Sequence, residues 1–295
     1  MSLQHITDKI SVIDVPLSGA SRVLGTYLVE GEKTAVIDPG PTSQTLGVLD
    51  ALQTHGFREL DAVLLSHIHL DHGGGSWKMV ETYPNSFVYC HPRGAAHMID
   101  PSLLKEGAQR LFGDRILEYG TISGVPRDRV MESADGEVID LGGIVLQVLW
   151  TPGHSSHSQS YWEPDSRTVF VGDAVGHVMG EGGPVVPVSP PPHNPLKGVE
   201  SIDRLIGLSP ETLCIAHFGP HGNAVEHLRR IRERSVLWER LSIQAAKEGM
   251  DLEGFHALVL EEDDELNRMG KADSPERSLK GGLLGFHRYG KWKQN

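Results

Sequence analysis

Four short apolar runs in this chain each end on residues able to bind a metal ion. The run Ala62-Val63-Leu64-Leu65 feeds into Ser66-His67-Ile68-His69-Leu70-Asp71-His72, and glycines occupy 73 to 75. Trp150-Thr151-Pro152-Gly153-His154 closes a second run, Phe170-Val171-Gly172-Asp173 a third, and Ile215-Ala216-His217 a fourth. Runs of this length and composition read as buried strands. Imidazole and carboxylate are ligands for transition metals. One strand-end histidine is ordinary, but four ligand-bearing strand ends together are not a chance pattern. They read as parts of one metal site.

The first cluster supplies half of that site. If the chain leaves the strand extended, His67 and His69 point to one side. Asp71 and His72 then turn back in the same loop, so that one segment can serve two ions. The glycines that follow permit close backbone approach and the start of a helix.

The rest of the chain supplies a scaffold. Lys9 to Val15 alternates like a strand. Gly25 to Glu30 and Thr34 to Asp38 form a hairpin around Gly31-Glu32, and Pro39-Gly40 stops the second strand. Ser43 to His55 has helical spacing. Trp77 to Tyr83 reads as helix, Ser86 to Cys90 as strand, and Ala95 to Tyr119 as interrupted helix. Strands resume over 137–140, 144–150, 159–162, 168–171 and 212–216, with a helix over 199–208. The Gly- and Pro-rich stretch 180–195 is predicted to be a loop. Beyond Gly222 strands disappear and three amphipathic helices follow. The predicted division is a domain of residues 1–221 and a helical appendage of 222–295. Two batches of strands, each followed by helices, fit two mixed sheets packed face to face with helices outside. The appendage is expected to wall a substrate pocket and to supply no ligand.

Composition narrows the partners. A formal net charge of -12 over 295 residues argues against binding nucleic acid and leaves a small-molecule substrate. Two cysteines are too few for a disulfide framework and are expected as buried thiols. The first residues offer no signal-peptide core, and no apolar run approaches the roughly 20 residues needed to span a bilayer. The expectation is a cytoplasmic protein with no membrane partner; homo-oligomerisation is left open.

With these motifs together, the chain resembles the metallo-β-lactamase fold superfamily over about residues 10 to 220. The carriers are the complete HIHLDH of His67 to His72, Thr151-Pro152-Gly153-His154, Val171-Gly172-Asp173, Ala216-His217, and the strand ending Val36-Ile37-Asp38-Pro39-Gly40. The resemblance implies an αββα four-layer sandwich with a dinuclear site at one edge of the sheets. His67, His69 and His154 would hold one ion, Asp71, His72 and His217 the second, and Asp173 would bridge them. Asp38 would orient the ligand loop through hydrogen bonds. The implied cofactors are two divalent metal ions, zinc first, with iron or manganese as alternatives.

That arrangement implies a hydrolase, since paired cations lower the pKa of a shared water. Asp71 is the expected catalytic acceptor for the water's proton. The matching branches are the glyoxalase II-like and lactonase-like ones, acting on a small carboxylic ester, thioester or lactone. The alternative is a mononuclear-iron sulfur dioxygenase using His67, His154 and Asp173. His177 and His193, in the segment after Asp173, are the candidates for substrate contact.

Overall fold

The computed structural model describes residues 2–179, 183–188, 190–273 and 276–294. Its strands are β1 (Ser2–His5), β2 (Ile10–Asp14), β3 (Gly25–Glu30), β4 (Thr34–Ile37), β5 (Ala62–Leu64), β6 (Phe87–Cys90), β7 (Val130–Glu132), β8 (Val138–Asp140), β9 (Val145–Trp150), β10 (Gln159–Glu163), β11 (Thr168–Gly172), β12 (His177–Val178), β13 (Val185–Val186), β14 (Thr212–Ile215) and β15 (Gly219–His221). The helices are α1 (Thr42–Thr54), α2 (Leu70–Gly73), α3 (Ser76–Thr82), α4 (Pro92–Ile99), α5 (Ser102–Phe112), α6 (Pro195–Gly207), α7 (Ala224–Lys247), α8 (Leu252–Glu262), α9 (Asp264–Asp273) and α10 (Glu276–Gln294). The fold is α/β: two mixed sheets flanked by helices, with a helical C-terminal region.

Contacts divide the chain into two compact units. The first comprises Met1–Trp150, Gln159–Gly172 and Thr212–His221; the second comprises Thr151–Ser158, Asp173–Glu211 and Gly222–Asn295. The predicted boundary at 221/222 is one point where the chain changes unit. The second unit also draws two segments from within the first 221 residues.

The first unit holds both large sheets. One has seven strands in the order β1 to β7, and the other has six in the order β15-β14-β11-β10-β9-β8. Their facing sides share one apolar layer, with Val12, Tyr27, Ile37 and Leu64 from the first sheet against Leu146, Val148, Phe170 and Cys214 from the second. The opposite face of the seven-stranded sheet buries Leu28, Val36, Val63 and Val88 under Val48, Leu52, Met79 and Met98 of the helices. Burial on both faces explains why β5 is apolar throughout. Tyr27 Oη donates to Ile215 O at 2.6 Å and ties the two sheets together.

The chain after β5 is fixed before it reaches the histidines. Leu65 O accepts from Gln159 Nε2 and Tyr161 Oη, both at 2.9 Å, and Ser66 O accepts from the Gln159 N–H at 2.8 Å. These bonds from β10 set the register at which the loop leaves the sheet.

The second unit is built on the helices after Gly222. Trp238, Leu241, Phe255, Val259, Leu279, Leu283 and Phe286 form its core, joined by Met179 and Val186. The 180–195 stretch differs from the loop predicted for it. Val185–Val186 pairs antiparallel with His177–Val178, and α6 begins at Pro195; residues 180–182 and 189 of that loop lie outside the described residues.

Candidate metal centre

In the first unit the loop after β5 brings its histidines together. The His67 and His69 rings lie 4.5 Å apart between centroids and the His67 and His72 rings 4.1 Å apart, while Ile68 between them is buried in the apolar core. Asp71 and His72 begin the short helix α2. His217, just beyond β14, faces them: Asp71, His72 and His217 each offer a ligand atom, all within 4.8 Å of one another.

Hydrogen bonds fix which ring nitrogens point into this cluster. His72 Nδ1 lies 2.9 Å from Asp38 Oδ2, and His217 Nδ1 lies 2.7 Å from Val23 O. A carboxylate and a carbonyl only accept, so both Nδ1 atoms carry the proton and Nε2 is the basic nitrogen on each ring. The two Nε2 atoms stand 3.2 Å apart, with Asp71 Oδ2 at 3.9 Å from one and 3.7 Å from the other. With both protons on Nδ1, two imidazole lone pairs and a carboxylate converge at these distances. A shared cation turns the same arrangement into coordination.

Asp38 organises the loop. Its Oδ1 accepts from the Ser66 N–H at 2.8 Å, and its Oδ2 accepts from Ser66 Oγ at 2.6 Å as well as from His72. Ser66 Oγ in turn lies 3.1 Å from His67 Nδ1. With its own proton on Asp38, that hydroxyl accepts from His67, which orients Nε2 of a third ring. Asp38 is 1% exposed and has φ +52°, an uncommon conformation for a residue with a Cβ. Thr26 Oγ1 donates to its carbonyl and its N–H donates to Leu64 O, which hold it there. A neighbour is equally constrained: at Gly172, with φ +51°, a Cβ would sit 2.2 Å from Ser66 Oγ.

The second unit carries the remaining candidates. His154 is buried and its Nδ1 donates to Val188 O at 2.7 Å, so Nε2 is again the basic nitrogen. That Nε2 lies 3.7 Å from Oδ2 of Asp173, itself 5% exposed. Asp173 follows directly on Gly172 at the tip of β11. The loop carrying His154 is tied down by Ser201 Oγ, which donates to Pro152 O at 2.7 Å, and by His193 Nδ1, which donates to Gly153 O at 2.8 Å. Burial, with the nearby His154 adding to it, pushes His193 down to about 3 and keeps it neutral. His154, Asp173 and His193 line a cavity with Val175, Pro187, Val188 and Ile202, and Ser235 of α7 reaches it. His177 Nε2 lies 2.9 Å from Asp173 Oδ2.

The stretch from residue 24 to residue 217 matches the family model of the metallo-beta-lactamase superfamily. The chain belongs to that superfamily. ST1585 of Sulfurisphaera tokodaii, a metallo-beta-lactamase fold-containing protein, is 28% identical over 254 residues, covering 84% of this chain and 90% of that one. TTHA1429 of Thermus thermophilus, a metallo-beta-lactamase family protein, has the same fold with a TM-score of 0.73 at 19% identity, covering 98% and 95% of the two chains. A hydroxyacylglutathione hydrolase of Synechococcus sp. is 31% identical over 152 residues; this chain spans 48% of that enzyme's length, and the match covers 50% of this chain.

The residues expected from sequence at the site are divided between the two units. His67, His69, Asp71, His72, His217 and Asp38 lie in the first unit, and His154, Asp173, His177 and His193 in the second. The donor set, imidazoles with carboxylates beside them, fits divalent cations of the zinc type. Both cysteines are buried thiols, and burial pushes Cys90 up to about 12 and raises Cys214 as well, so neither is a nucleophile near neutral pH. No helix among the described residues is long and apolar enough to cross a membrane. Of the groups that fix the tautomers, Asp38 is named by the sequence reading, whereas Ser66 Oγ, Val23 O and Val188 O are not. Ser66 is written inside the motif, but Val23 O and Val188 O are backbone atoms with no signature in the residue type.

Proposed function

We propose that this protein is a metal-dependent hydrolase that cleaves a small carboxylic ester, thioester or lactone and uses two divalent ions, zinc in the first instance. The observation that carries the reading is the shared tautomer of four histidines. His67, His72, His154 and His217 each commit Nδ1 to an acceptor and keep Nε2 for a ligand. In this reading His67, His69 and His154 would hold one ion, Asp71, His72 and His217 the other, and Asp173 would serve both. When bound, such ions supply Lewis acidity toward the scissile carbonyl and an acidified water.

The chain's own groups do the rest. Asp38 holds the ligand loop. Asp71 accepts the proton of the attacking water at its carboxylate. His193 is the substrate contact in the cavity lined by His154 and Asp173, and Ser235 brings the C-terminal helices to the same cavity. The relatives favour hydrolysis over the iron dioxygenase, because the names among them include hydroxyacylglutathione hydrolase and probable metallo-hydrolase. The proposed setting is the cytoplasm, with neither nucleic acid nor membrane as partner.

Elemental analysis of the purified protein, paired with hydrolysis of a thioester, lactone and phosphoester panel, tests the reading. Two ions per chain and turnover of a thioester or lactone are expected. A single ion that stays at one under metal excess overturns the dinuclear assignment.

A further inference from the structure

Asp173 and His177 are joined by a short, constrained piece of chain. Gly176 N–H donates to Asp173 O at 3.1 Å and closes a turn, and His177 then enters β12. Only glycine fits at 176: with φ +105°, a Cβ there would lie 1.9 Å from Val186 O. The turn brings Nε2 of His177 to 2.9 Å from Asp173 Oδ2. A carboxylate only accepts, so His177 donates, and the bond opposes rotation of the carboxylate about its own axis.

The strand that presents His177 is itself clamped. His177 pairs with Val186 in register, and Met179 and Val186 pack into the core of the C-terminal helices. Arg234 of α7 donates from Nη1 to Val185 O at 2.6 Å. The same guanidinium is held by Asp263 at 2.7 and 3.1 Å and by Glu265 at 2.7 Å. The path from the helices to the carboxylate is continuous: Asp263, Arg234, Val185, the β12–β13 pair, His177, Asp173.

We propose that His177 is a positioning residue that orients the Asp173 carboxylate for metal binding, presented by a hairpin that the C-terminal helices hold in place. The proposal rests on the reading of Asp173 as a ligand. It assigns His177 a role different from substrate contact, and it gives the helices a share in tuning the metal site besides lining the cavity.

The test compares wild type, His177→Gln, His177→Phe and Asp173→Asn in the full-length protein. Zinc affinity is read by competition with a chromophoric chelator, stoichiometry by elemental analysis, and geometry by the visible absorption of the cobalt-substituted protein. His177→Phe is expected to weaken the binding of zinc by about 10- to 100-fold, to shift the cobalt bands and to leave stoichiometry under metal excess unchanged. His177→Gln, whose amide places a donor near the same point, is expected to recover most of the affinity. If His177→Phe fails to fold, His177→Ala carries the same expectation. Unchanged affinity and spectrum in the folded variants overturn the proposal. So does the loss of one ion, which would make His177 a ligand itself. If Asp173→Asn leaves zinc binding and the cobalt spectrum untouched, it is the ligand reading beneath the proposal that fails.

Discussion

Asp263 in the C-terminal helices and Asp71 in the HIHLDH loop are both carboxylates set among nitrogen atoms, and the nitrogens differ in kind. Around Asp263 they are N–H donors: Arg234 at 2.7 and 3.1 Å, the Trp238 indole at 3.0 Å and the Leu266 amide at 3.2 Å. Around Asp71 they are the Nε2 atoms of His72 and His217, whose protons sit on the far side of each ring. The first network is complete in itself and carries its own positive charge. The second, in the proposed reading, is an array of lone pairs that a bound cation would make favourable. Buried charge alone therefore does not mark a functional site; the side of each ring that carries the proton does.

The largest effect is expected within the proposed metal site, on the chemistry. Asp173→Ala is expected to lower turnover on the best substrate by on the order of 10³-fold or more, as several kcal/mol of transition-state stabilisation would be lost. His217→Ala, which touches one ion only in the proposed set, is expected to cost less. Steady-state kinetics at saturating zinc checks the order, and near-wild-type turnover in Asp173→Ala would break the assignment.

Next in size is stability. Asp263→Ala removes one partner of a buried pair and is expected to cost about 3–5 kcal/mol in denaturant unfolding without zinc, with only a smaller zinc-dependent part transmitted through Val185 and the β12–β13 pair. His72→Ala should behave oppositely. Its cost should appear mainly as a lost zinc-dependent increment, about 2.7 kcal/mol at a zinc concentration 100 times the Kd. A zinc-dependent loss for Asp263→Ala as large as that for His72→Ala would erase the distinction between the networks.

A smaller change is expected from Asp38→Asn. Its amide can still accept from Ser66, yet it weakens the carboxylate bond to His72, so zinc affinity should fall about 10- to 100-fold while the fold persists. Chelator competition measures this; unchanged affinity would mean that Ser66 and Gly172 suffice to place the loop.

The smallest effect concerns acid. Burial alone would raise the Asp263 carboxyl, but Arg234, Trp238 and the Leu266 amide outweigh it and hold the group below its ordinary 3.8. A depressed carboxyl contributes stability above the unfolded value and loses it as pH falls through the folded value. Zinc-free wild type should therefore lose stability below about pH 4 more steeply than zinc-free Asp263→Asn. Parallel pH profiles from urea melts would contradict the pairing.

Much of this is legible in the sequence because apolar burial writes itself into residue type. The runs that become β3, β4, β5, β9, β10, β11 and β14 lie where expected, and the first ligand loop follows β5 directly. Lys9 to Val15 suggests alternation, yet four of the five residues of β2 are buried, because the sheet is covered on both faces. The strands that the sequence does not announce lack an apolar signal. β1 and β7 have few buried side chains, β12 and β13 are two residues each beside a Gly/Pro-rich segment, and β15 is Gly-Pro-His. In the site, ligand types are readable, whereas carbonyl partners and the Asp173–His177 contact depend on turns that composition does not encode.

The discontinuous second unit bears on how such a protein can be shuffled. Its helices after residue 222 pack on Met179 and Val186 and bond Val185, all of which come from a segment inserted before β14. A recombination event that exchanged only the C-terminal helices for those of a relative would separate Arg234 from Val185 and Ser235 from its cavity. The tail is thus not a portable cassette. Inheritance should keep it in step with residues 151–158 and 173–211, and a functional chimera needs all three segments exchanged together.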